Sequence, residues 1–292
     1  MPSMAIARET SRWNALLELP LGHMPPIVET RIGSSRRADI APKVLRALND
    51  GLEETRTLAE WLAIDQPRLL ASALSAAGLG THVPTVVGAA RIRADLRFTD
   101  RLKSAANDLR GVFQSLPAPD SAVRSFATSP SDMIRGWLAY AISYDETLSL
   151  DLRLNLATRF AADRSMAVRE VAWDALRPHL VRDLPTALVA LAPWTHHESD
   201  GVRRCAIEAT RPRGVWCRHI DELKRDPARG LLLLEAVRAD PSKYVLRSAA
   251  NWLNDASKDR PDWVRQTCAR WTRESSSPQT QALVRHALRT IG

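Results

Sequence analysis

The sequence is poor in the residues and motifs that mark several common classes of protein. Its three cysteines, Cys205, Cys217 and Cys268, are odd in number and lack CxxC spacing, so we expect neither a disulfide framework nor a structural zinc site. It has no run of 18 uncharged apolar residues, and charged residues interrupt the first 20 positions, so neither a transmembrane helix nor a secretory signal is predicted. Walker A, GxGxxG, HExxH and GxSxG motifs are also missing. We therefore expect a cytoplasmic protein without a metal site.

Glycine is scarce as well, and the most abundant residue types favour helix. Only 12 of the 292 residues are glycine, whereas Ala, Leu and Arg dominate. From Pro42 onward, apolar residues recur at helical spacing, with breaks at residues 78–80 and 116–119. Helical spacing resumes after Pro84 and predicts one helical stretch to about Phe113. The first 40 residues are poorly patterned, and we predict that they form a lead-in arm that is partly disordered.

The C-terminal half contains an internal repeat. Three segments share an acidic or serine-containing turn, then Val and Arg, then a helix with Ala four residues after the Val; a weaker fourth copy follows. The aligned alanines are separated by 34, 43 and 38 residues, which is the range of HEAT and armadillo repeats. We predict an all-α, HEAT-like helical repeat solenoid as one domain over residues 41–292, clearest over 131–292. Ser, Asp or Pro is expected to cap each second helix, and the alanines allow close packing. These alanines are Ala172, Ala206, Ala249 and Ala287.

The charge balance points towards a polyanionic partner. The chain carries 41 Lys and Arg against 33 Asp and Glu, a formal charge of +8, and nucleic acid is the commonest partner of such a protein. Arg recurs at the start of each second helix, where it could contact DNA phosphates. Alternatively, these arginines bond across repeats to the carboxylates of neighbouring turns. The candidate phosphate ligands are Arg169, Arg203, Arg211, Arg213, Arg247 and Lys258.

Polar side chains recur at one register position of the repeats. Glu208 matches Asp174 and Asn251 in that register, and Asp255 lies one helical turn beyond Asn251 on the same face. If the helices stack in parallel, these groups line one concave surface. Composition alone favours solvated or salt-bridged carboxylates, and it favours a place in the core for Trp216.

Five runs of residues give the chain a resemblance to a known family: residues 57–66, 177–180, 211–216, 240–245 and 251–258. In these runs the sequence resembles the AlkC group of bacterial DNA alkylation repair glycosylases, most firmly over residues 168–271. That resemblance implies a HEAT-like fold, removal of bases that carry small alkyl groups, typically cationic adducts, and no metal or organic cofactor.

The resemblance also assigns roles to particular residues. Glu208, Trp216 and Asp255 match family positions that line the lesion-facing groove. A further acidic family position aligns with Trp173, a departure for which the neighbouring acids Asp174 and Glu170 are candidate substitutes. Asp255 is expected to stabilise the cationic sugar and orient a water, with Glu208 in support. Trp216 and Trp173 are the candidates for stacking on the lesion.

Three functions follow from these features, in order of preference. The first is a monofunctional DNA glycosylase that removes alkylated bases from duplex DNA during base excision repair, acting as a monomer associated with the nucleoid. The second is a non-catalytic binder of branched or damaged DNA, which the Trp173 departure favours. The third is a protein–protein scaffold, the commonest use of HEAT arrays.

Overall fold

The computed structural model describes residues 12–20, 31–214 and 217–291 of the chain. Every secondary-structure element within those ranges is a helix, which confirms the predicted all-α fold. None of the described helices is long and apolar enough to cross a membrane. The chain divides into an N-terminal unit, Met1–Ala175, and a C-terminal unit, Leu176–Gly292.

The N-terminal unit contains ten α-helices if the helix that crosses the unit boundary is included among the described elements. They are α1 Asn14–Leu17, α2 Pro42–Asn49, α3 Leu58–Ala63, α4 Gln66–Ala76, α5 Val83–Ile92, α6 Phe98–Ser115, α7 Asp120–Ala127, α8 Asp132–Ser143, α9 Leu150–Ala161 and α10 Met166–Leu180.

The described part of the C-terminal unit holds the remaining seven α-helices, with short 3-10 turns between several of them. They are α11 Leu184–Leu191, α12 Asp200–Ala209, α13 Asp221–Arg225, α14 Leu231–Val237, α15 Lys243–Ala256, α16 Pro261–Glu274 and α17 Pro278–Ala287.

Helix α8 forms the centre of the N-terminal unit. All of its residues are buried, including Trp137, and it packs against α6 and α9. The described part of the predicted arm also joins this core, because α1 packs on α7. Trp13 is fully buried, its ring lies 5.9 Å from that of Phe113, and its indole N–H donates to Asp145 at 2.9 Å. Residues 12–20 therefore belong to the packed unit; the rest of the arm before residue 31 lies outside the described residues.

The C-terminal unit shows the predicted repeat directly. Helix α12 packs against α15, and α15 packs against α17, so successive second helices stack on one another. Ala206, Ala249 and Ala287 are fully buried, and small residues at these positions let the helix axes approach closely. The alanine spacing thus identified the helices that form the stack.

In each unit an arginine ties the start of a helix to the next turn. In the N-terminal unit Arg135, at the start of α8, donates through Nε and Nη2 to both oxygens of Asp163 at 2.8 and 2.9 Å. It also donates to the carbonyl of Ser129 at 2.8 Å and to Glu54 at 2.7 Å. Asp163 in turn accepts the backbone N–H of Ser165 at 2.8 Å, which fixes the turn before α10.

The C-terminal unit repeats this arrangement. Arg203, at the start of α12, donates to both oxygens of Asp240 at 2.7 and 3.0 Å and to the carbonyl of His197 at 2.8 Å. Asp240 accepts the backbone N–H of Ser242 at 2.8 Å. For Arg203 the structure therefore shows the bond across repeats to a turn carboxylate, which was one of the two alternatives drawn from the sequence.

The capping expectation holds for some of the second helices and fails for others. The Ser165 hydroxyl accepts the backbone N–H of Ala167 at 3.2 Å at the start of α10, and Pro278 is the first residue of α17. Ser199 and Ser242 occupy the positions that precede α12 and α15, but neither side chain accepts a capping hydrogen bond. The Ser242 hydroxyl donates instead to Asp200 at 2.7 Å, and Asp240 holds the turn. Serine's short side chain is thus used between repeats, and the aspartate two residues earlier orders the backbone.

The stretch predicted as one helix from Pro84 to Phe113 is two helices. The chain turns at residues 93–97, between α5 and α6, although no Gly or Pro lies there. Two side-chain contacts hold the turn: Arg101 donates to the carbonyl of Ala94 at 3.0 Å, and Arg93 pairs with Asp108 at 2.5 Å. Neither contact is marked by a Gly or Pro in the sequence.

The network around Arg135 predicts a large loss of stability on its removal. Arg135→Leu leaves Asp163 and Glu54 buried without their guanidinium, which should lower the free energy of unfolding by about 3–5 kcal/mol. Urea unfolding followed by circular dichroism measures this change. Arg68→Leu is the control, because Arg68 forms an ion pair with Asp50 that is largely open to solvent and should cost about 1 kcal/mol or less. Equal losses in the two variants would contradict the assigned role.

Candidate active site

Glu208 lies in the last turn of α12 and is buried. Only 4% of its surface is exposed, and its Oε1 accepts a hydrogen bond from the Ser248 hydroxyl of α15 at 2.6 Å. Arg204, one turn earlier on α12, approaches the same oxygen at 3.5 Å and donates to the Ser248 hydroxyl at 3.0 Å. Arg204 also lies over the Tyr244 ring, 4.3 Å from its centre. Oε1 of Glu208 is therefore held by Ser248 and Arg204.

Asp255 lies near the end of α15 and is also buried, with 5% of its surface exposed. Its Oδ2 accepts from Arg211 at 2.8 Å, and its Oδ1 lies 3.6 Å from Nζ of Lys258, an exposed residue just beyond the helix. Glu208 and Asp255 come from adjacent stacked helices, as the repeat register indicated.

Arg211 joins the two acids. Its Nη1 donates to Oε2 of Glu208 at 3.1 Å, while its Nε donates to Oδ2 of Asp255 at 2.8 Å. Its side chain is only 12% exposed. We refer to Glu208, Arg211 and Asp255 as the acid pair and its bridging arginine. Arg211 was predicted to bind phosphate, and in this structure it is bound to carboxylates.

The loop that carries Arg211 is fixed by buried donors. Arg177 donates to the carbonyls of Ala209 and Arg211 at 3.0 and 2.7 Å and to that of Arg218 at 3.0 Å, so it clamps both ends of the loop. The indole N–H of Trp252 donates to the carbonyl of Thr210 at 2.9 Å. Since α12 ends without a glycine cap, these side chains satisfy carbonyls that the helix end leaves unpaired.

Burial and charge oppose each other at this site. Burial raises the pKa of the Asp255 carboxyl above its ordinary value, although the positive charges of Arg211 and Lys258 offset part of that rise. For the Arg211 guanidinium, burial alone would lower the pKa. The negative charges of Glu208 and Asp255 have the larger effect, so the pKa of Arg211 is raised above its ordinary value. Arg211 therefore stays charged, and Asp255 is a carboxylate that accepts a proton more readily than a solvated aspartate.

The other predicted cations of the C-terminal unit have varied surroundings. Arg213 forms a two-point pair with Asp259 at 3.0 and 2.9 Å, and Arg203 is bound to Asp240. Arg247 is exposed on α15. Trp216, the predicted stacking residue, lies outside the described residues. Of these cations, Arg247 and Lys258 present the most open side chains.

A basin beside the Arg213–Asp259 pair adds cations that the sequence analysis missed. Lys224, Arg225 and Arg260 line it together with Asp221 and Asp259, and its volume is about 620 Å³. Arg260 donates to the carbonyl of Arg225 at 2.8 Å, which joins the start of α16 to the end of α13. These cations do not follow the repeat register, so their grouping has no signal in the sequence.

The predicted residues of the N-terminal unit form a separate group. Trp173 is buried, with 3% of its surface exposed, and its indole N–H donates to Glu170 at 2.8 Å. Asp174 binds Nζ of Lys103 at 2.6 Å and the Tyr140 hydroxyl at 2.5 Å. Neither partner was identified from the sequence, because both come from helices that are distant along the chain. Trp173 is thus a packed side chain in this structure.

Arg169, at the start of α10, is half-buried. It donates to the carbonyls of Asp163 and Arg164, both at 2.7 Å, and so closes the turn before its own helix as Arg135 does for α8. Within residues 12–20, 31–214 and 217–291, no group of three or more His, Cys, Asp and Glu side chains is arranged to hold a metal ion.

Comparison with known proteins gives one family match. The sequence model of a family described as DNA alkylation repair enzyme matches residues 137–291, more than half of the chain. A curated relative, the uncharacterised protein YhaZ of Bacillus subtilis, is 39% identical over 117 residues, a match that covers 40% of this chain and 32% of the relative.

Solved structures of similar fold come from two bacteria. The alkylpurine DNA glycosylase AlkC of Pseudomonas fluorescens, bound to DNA that contains an abasic site analogue, is 25% identical and has a TM-score of 0.65. The alignment covers 80% of this chain and 64% of that one. AlkD2 of Streptococcus mutans is similar in fold, with a TM-score of 0.55 at 19% identity over 71% of this chain and 98% of that one. The chain spans less than two thirds of YhaZ and of the AlkC chain.

The opposing effects at Asp255 predict a measurable titration. We expect the carboxyl carbon of Asp255 to titrate above the ordinary value of 3.8, in an NMR pH series assigned with Asp255→Asn. Arg211→Gln should raise this pKa further, because it removes a positive charge that favours the carboxylate. Arg265→Gln, an exposed change on α16, serves as the control and should leave the Asp255 titration unchanged. Titration of Asp255 at or below 3.8 would contradict the described burial.

Proposed function

Because the chain belongs to the AlkC/AlkD-type family of DNA alkylation repair enzymes, we propose that it is a monofunctional DNA glycosylase that hydrolyses the N-glycosidic bond of alkylated bases in duplex DNA. One observation carries the proposal within the chain: two buried carboxylates, Glu208 and Asp255, meet at one guanidinium in the part of the sequence that the family model matches. In this proposal the protein acts as a monomer in the cytoplasm, on nucleoid DNA, without a metal or other cofactor.

The proposed reaction requires a carboxylate rather than a general acid. An N-alkylated base is cationic and leaves without prior protonation, while the sugar becomes oxocarbenium-like as its bond to the base stretches. A buried carboxylate stabilises that growing charge strongly, since little solvent screens it, and it can orient the attacking water. We assign this role to Asp255, which is the less tightly held acid on its Oδ1 side. Glu208, fixed by Ser248, supports it.

In the absence of substrate, Arg211 is the counter-charge of the two acids. A buried carboxylate without a counter-charge is costly, and Arg211 supplies that counter-charge through its contacts with Asp255 and Glu208 while no substrate is bound. A cationic base or sugar brings its own positive charge to the same place. We propose that substrate binding loosens the Arg211–Asp255 contact and turns the guanidinium towards a DNA phosphate, the role expected for it from sequence. Selectivity for cationic lesions then follows from the exchange of one cation for another.

Phosphate contacts in this proposal come mainly from side chains that are open to solvent. Lys258, Arg247, Arg225 and Arg260 are exposed in the C-terminal unit, whereas the basin cation Lys224 is half-buried and paired with Asp221 at 2.9 Å. Arg203, which Asp240 holds at two points, is a structural residue in this account, and Arg213 contacts DNA only if its pair with Asp259 opens.

A second candidate is a non-catalytic binder of damaged or branched DNA. It is favoured by Trp173, which stands at an acidic family position and is buried against Glu170. Asp174, the nearest acid along the helix, is bound to Lys103 and Tyr140. This candidate predicts affinity for DNA with no release of base.

Asp255→Asn separates the two candidates. The variant keeps the size and burial of the side chain but removes its charge, so base release from methylated duplex DNA should fall about 10²- to 10⁴-fold. Single-turnover release of free base, measured by chromatography, gives the rate, and fluorescence anisotropy on the same duplex should show that DNA binding is retained.

Asp262→Asn is the matched control, because Asp262 is an exposed aspartate of α16 paired only with Arg265. Its rate should equal that of the wild type. Wild-type protein that binds the duplex and releases no base would overturn the glycosylase proposal in favour of the second candidate.

The raised pKa of Asp255 also predicts how the rate depends on pH. The active form is the carboxylate, so activity is present above the pKa of the folded protein and is lost as pH falls through it. Since burial raises that pKa, the acid limb of kcat/KM should lie above 3.8. A pH–rate profile with a substrate whose charge does not titrate tests this. An acid limb at or below 3.8, in protein shown by circular dichroism to stay folded, would contradict the role of Asp255.

A further inference from the structure

Helices α15 and α17 bring a group of basic side chains together one helical turn from Asp255. The amide oxygen of Asn251, on α15, accepts from Nη2 of Arg289 at 3.1 Å and lies 3.1 Å from Nε2 of His286, in the last turn of α17. Arg289, just beyond that helix, also donates through Nη1 to the carbonyl of His286 at 2.6 Å. Arg247 lies one turn before Asn251 on α15. We refer to Arg247, Asn251, His286 and Arg289 as the α15–α17 cluster.

The cluster has no counter-charge among the described residues. No carboxylate of residues 12–20, 31–214 and 217–291 pairs with Arg247, His286 or Arg289, whereas Arg203 and Arg213 are each paired with an aspartate. Both arginines of the cluster are exposed, and His286 is half-buried. Burial lowers the pKa of His286 below its ordinary value of 6.5, and the positive charges of the two arginines lower it further. An anion bound among these groups would relieve their mutual repulsion.

The helices packed around His286 add no acid that acts on it. Helix α17 packs on α15 and on α16. From α16, Arg265 reaches the chain beyond α17, and its side chain is paired with Asp262. The charges that act on His286 are therefore those of Arg289 and Arg247.

The hydrogen bonds of the cluster identify the atom of His286 that titrates. Arginine can only donate, so the Asn251 atom that faces Arg289 is the amide oxygen, and that oxygen can only accept from Nε2 of His286. Nε2 therefore carries the proton of the neutral ring, and Nδ1 takes up the second proton. The protonated cluster then offers guanidinium and imidazolium donors, which match the several acceptor oxygens of a phosphate.

The place of the cluster on α15 indicates which phosphate it would meet. Asn251 and Arg247 precede Asp255 by about 6 and 12 Å along the helix axis, at the rise of an α-helix. Nucleotides of one DNA strand rise by about 3.4 Å each, so the cluster lies roughly two to four nucleotides from Asp255. Helix α15 thus contacts Arg211 through Asp255 and contacts α17 through the cluster.

We propose that the α15–α17 cluster binds a backbone phosphate of DNA and that His286 takes up a proton at Nδ1 when the phosphate binds. The inference rests on the proposed function only in taking DNA as the ligand, and it requires no glycosylase chemistry. The proton comes from solvent. Because the negative phosphate favours the charged ring, the pKa of His286 is higher in the complex than in the free protein. Affinity for DNA therefore falls as pH rises from the pKa of the free protein to that of the complex.

Fluorescence anisotropy on an unmodified duplex, at constant ionic strength from pH 5 to pH 8, tests the proposal. A rise of one unit in the pKa of His286 makes the dissociation constant about ten-fold larger at pH 8 than at pH 5. His286→Gln should reduce the pH dependence by that factor, because it leaves every other histidine in place. His286→Lys keeps a positive charge throughout this range and should bind at pH 8 more tightly than the wild type.

Two arginine variants separate a specific contact from a general loss of charge. Arg289→Gln should weaken binding and lower the slope of log K against log salt by about one, as for one lost phosphate contact. Arg273→Gln is the matched control, because Arg273 is exposed on α16, has no ion pair among the described residues and carries the same charge. It should change binding much less and leave the pH dependence intact. Melting temperatures close to that of the wild type show that the variants are folded.

The outcomes distinguish this proposal from the glycosylase proposal. Equal pH dependence in the wild type and His286→Gln, or equal losses in Arg289→Gln and Arg273→Gln, would overturn the phosphate site even if the wild type releases base. A His286-dependent pH profile in a protein that releases no base would support the phosphate site alone. If His286 affects the binding of inorganic phosphate, measured by calorimetry, but not that of the duplex, the ligand is a free anion and the proposal fails.

Discussion

Both units depend on an arginine that joins the start of a helix to the following turn; Arg135 is buried there and Arg203 is half-buried. Arg135 and Arg203 each bind both oxygens of an aspartate, and each also satisfies a backbone carbonyl ahead of its own helix. The aspartates, Asp163 and Asp240, then order the next turn by accepting a backbone N–H. Because charged hydrogen bonds of this kind are strong only when every donor and acceptor is paired, the geometry of one repeat fixes the start of the next.

Because arginines are used in this way, the net positive charge of the chain overstates the charge that its surface offers to a polyanion. A formal charge of +8 suggests a surface for polyanions, yet several arginines are committed to carboxylates and carbonyls inside the protein. The positive charge that the proposed binding of DNA would use is therefore local and lies on exposed side chains such as Lys258 and Arg247. At the acid pair, Arg211 has a structural role and a proposed functional one. It joins adjacent repeats, and it binds the same carboxylates that a cationic lesion would need.

The sequence predicted the fold and one part of the site well, for physical reasons that can be named. Alanine spacing reflects the close approach of stacked helices, so it identified α12, α15 and α17, and the same register brought Glu208 near Asp255. Whether the Arg211 side chain contacts carboxylates or a phosphate was not predictable from the sequence, because a guanidinium binds both groups. The contacts of Lys103 and Tyr140 with Asp174 join segments that are distant along the chain, and the Arg93–Asp108 pair at the turn of residues 93–97 also joins separate parts of the sequence. Trp173, a candidate for stacking on the lesion, is buried and donates to Glu170 in this structure.

We propose that Glu208 and Asp255 act as one site through Arg211. A double-mutant cycle on single-turnover base release tests it most directly, with Glu208→Gln, Asp255→Asn and the double variant measured on the same alkylated duplex. Residues that act as a unit lose most of their effect together, so the double variant should be about as slow as the slower single variant. Losses that multiply, as for two independent residues, would contradict the account.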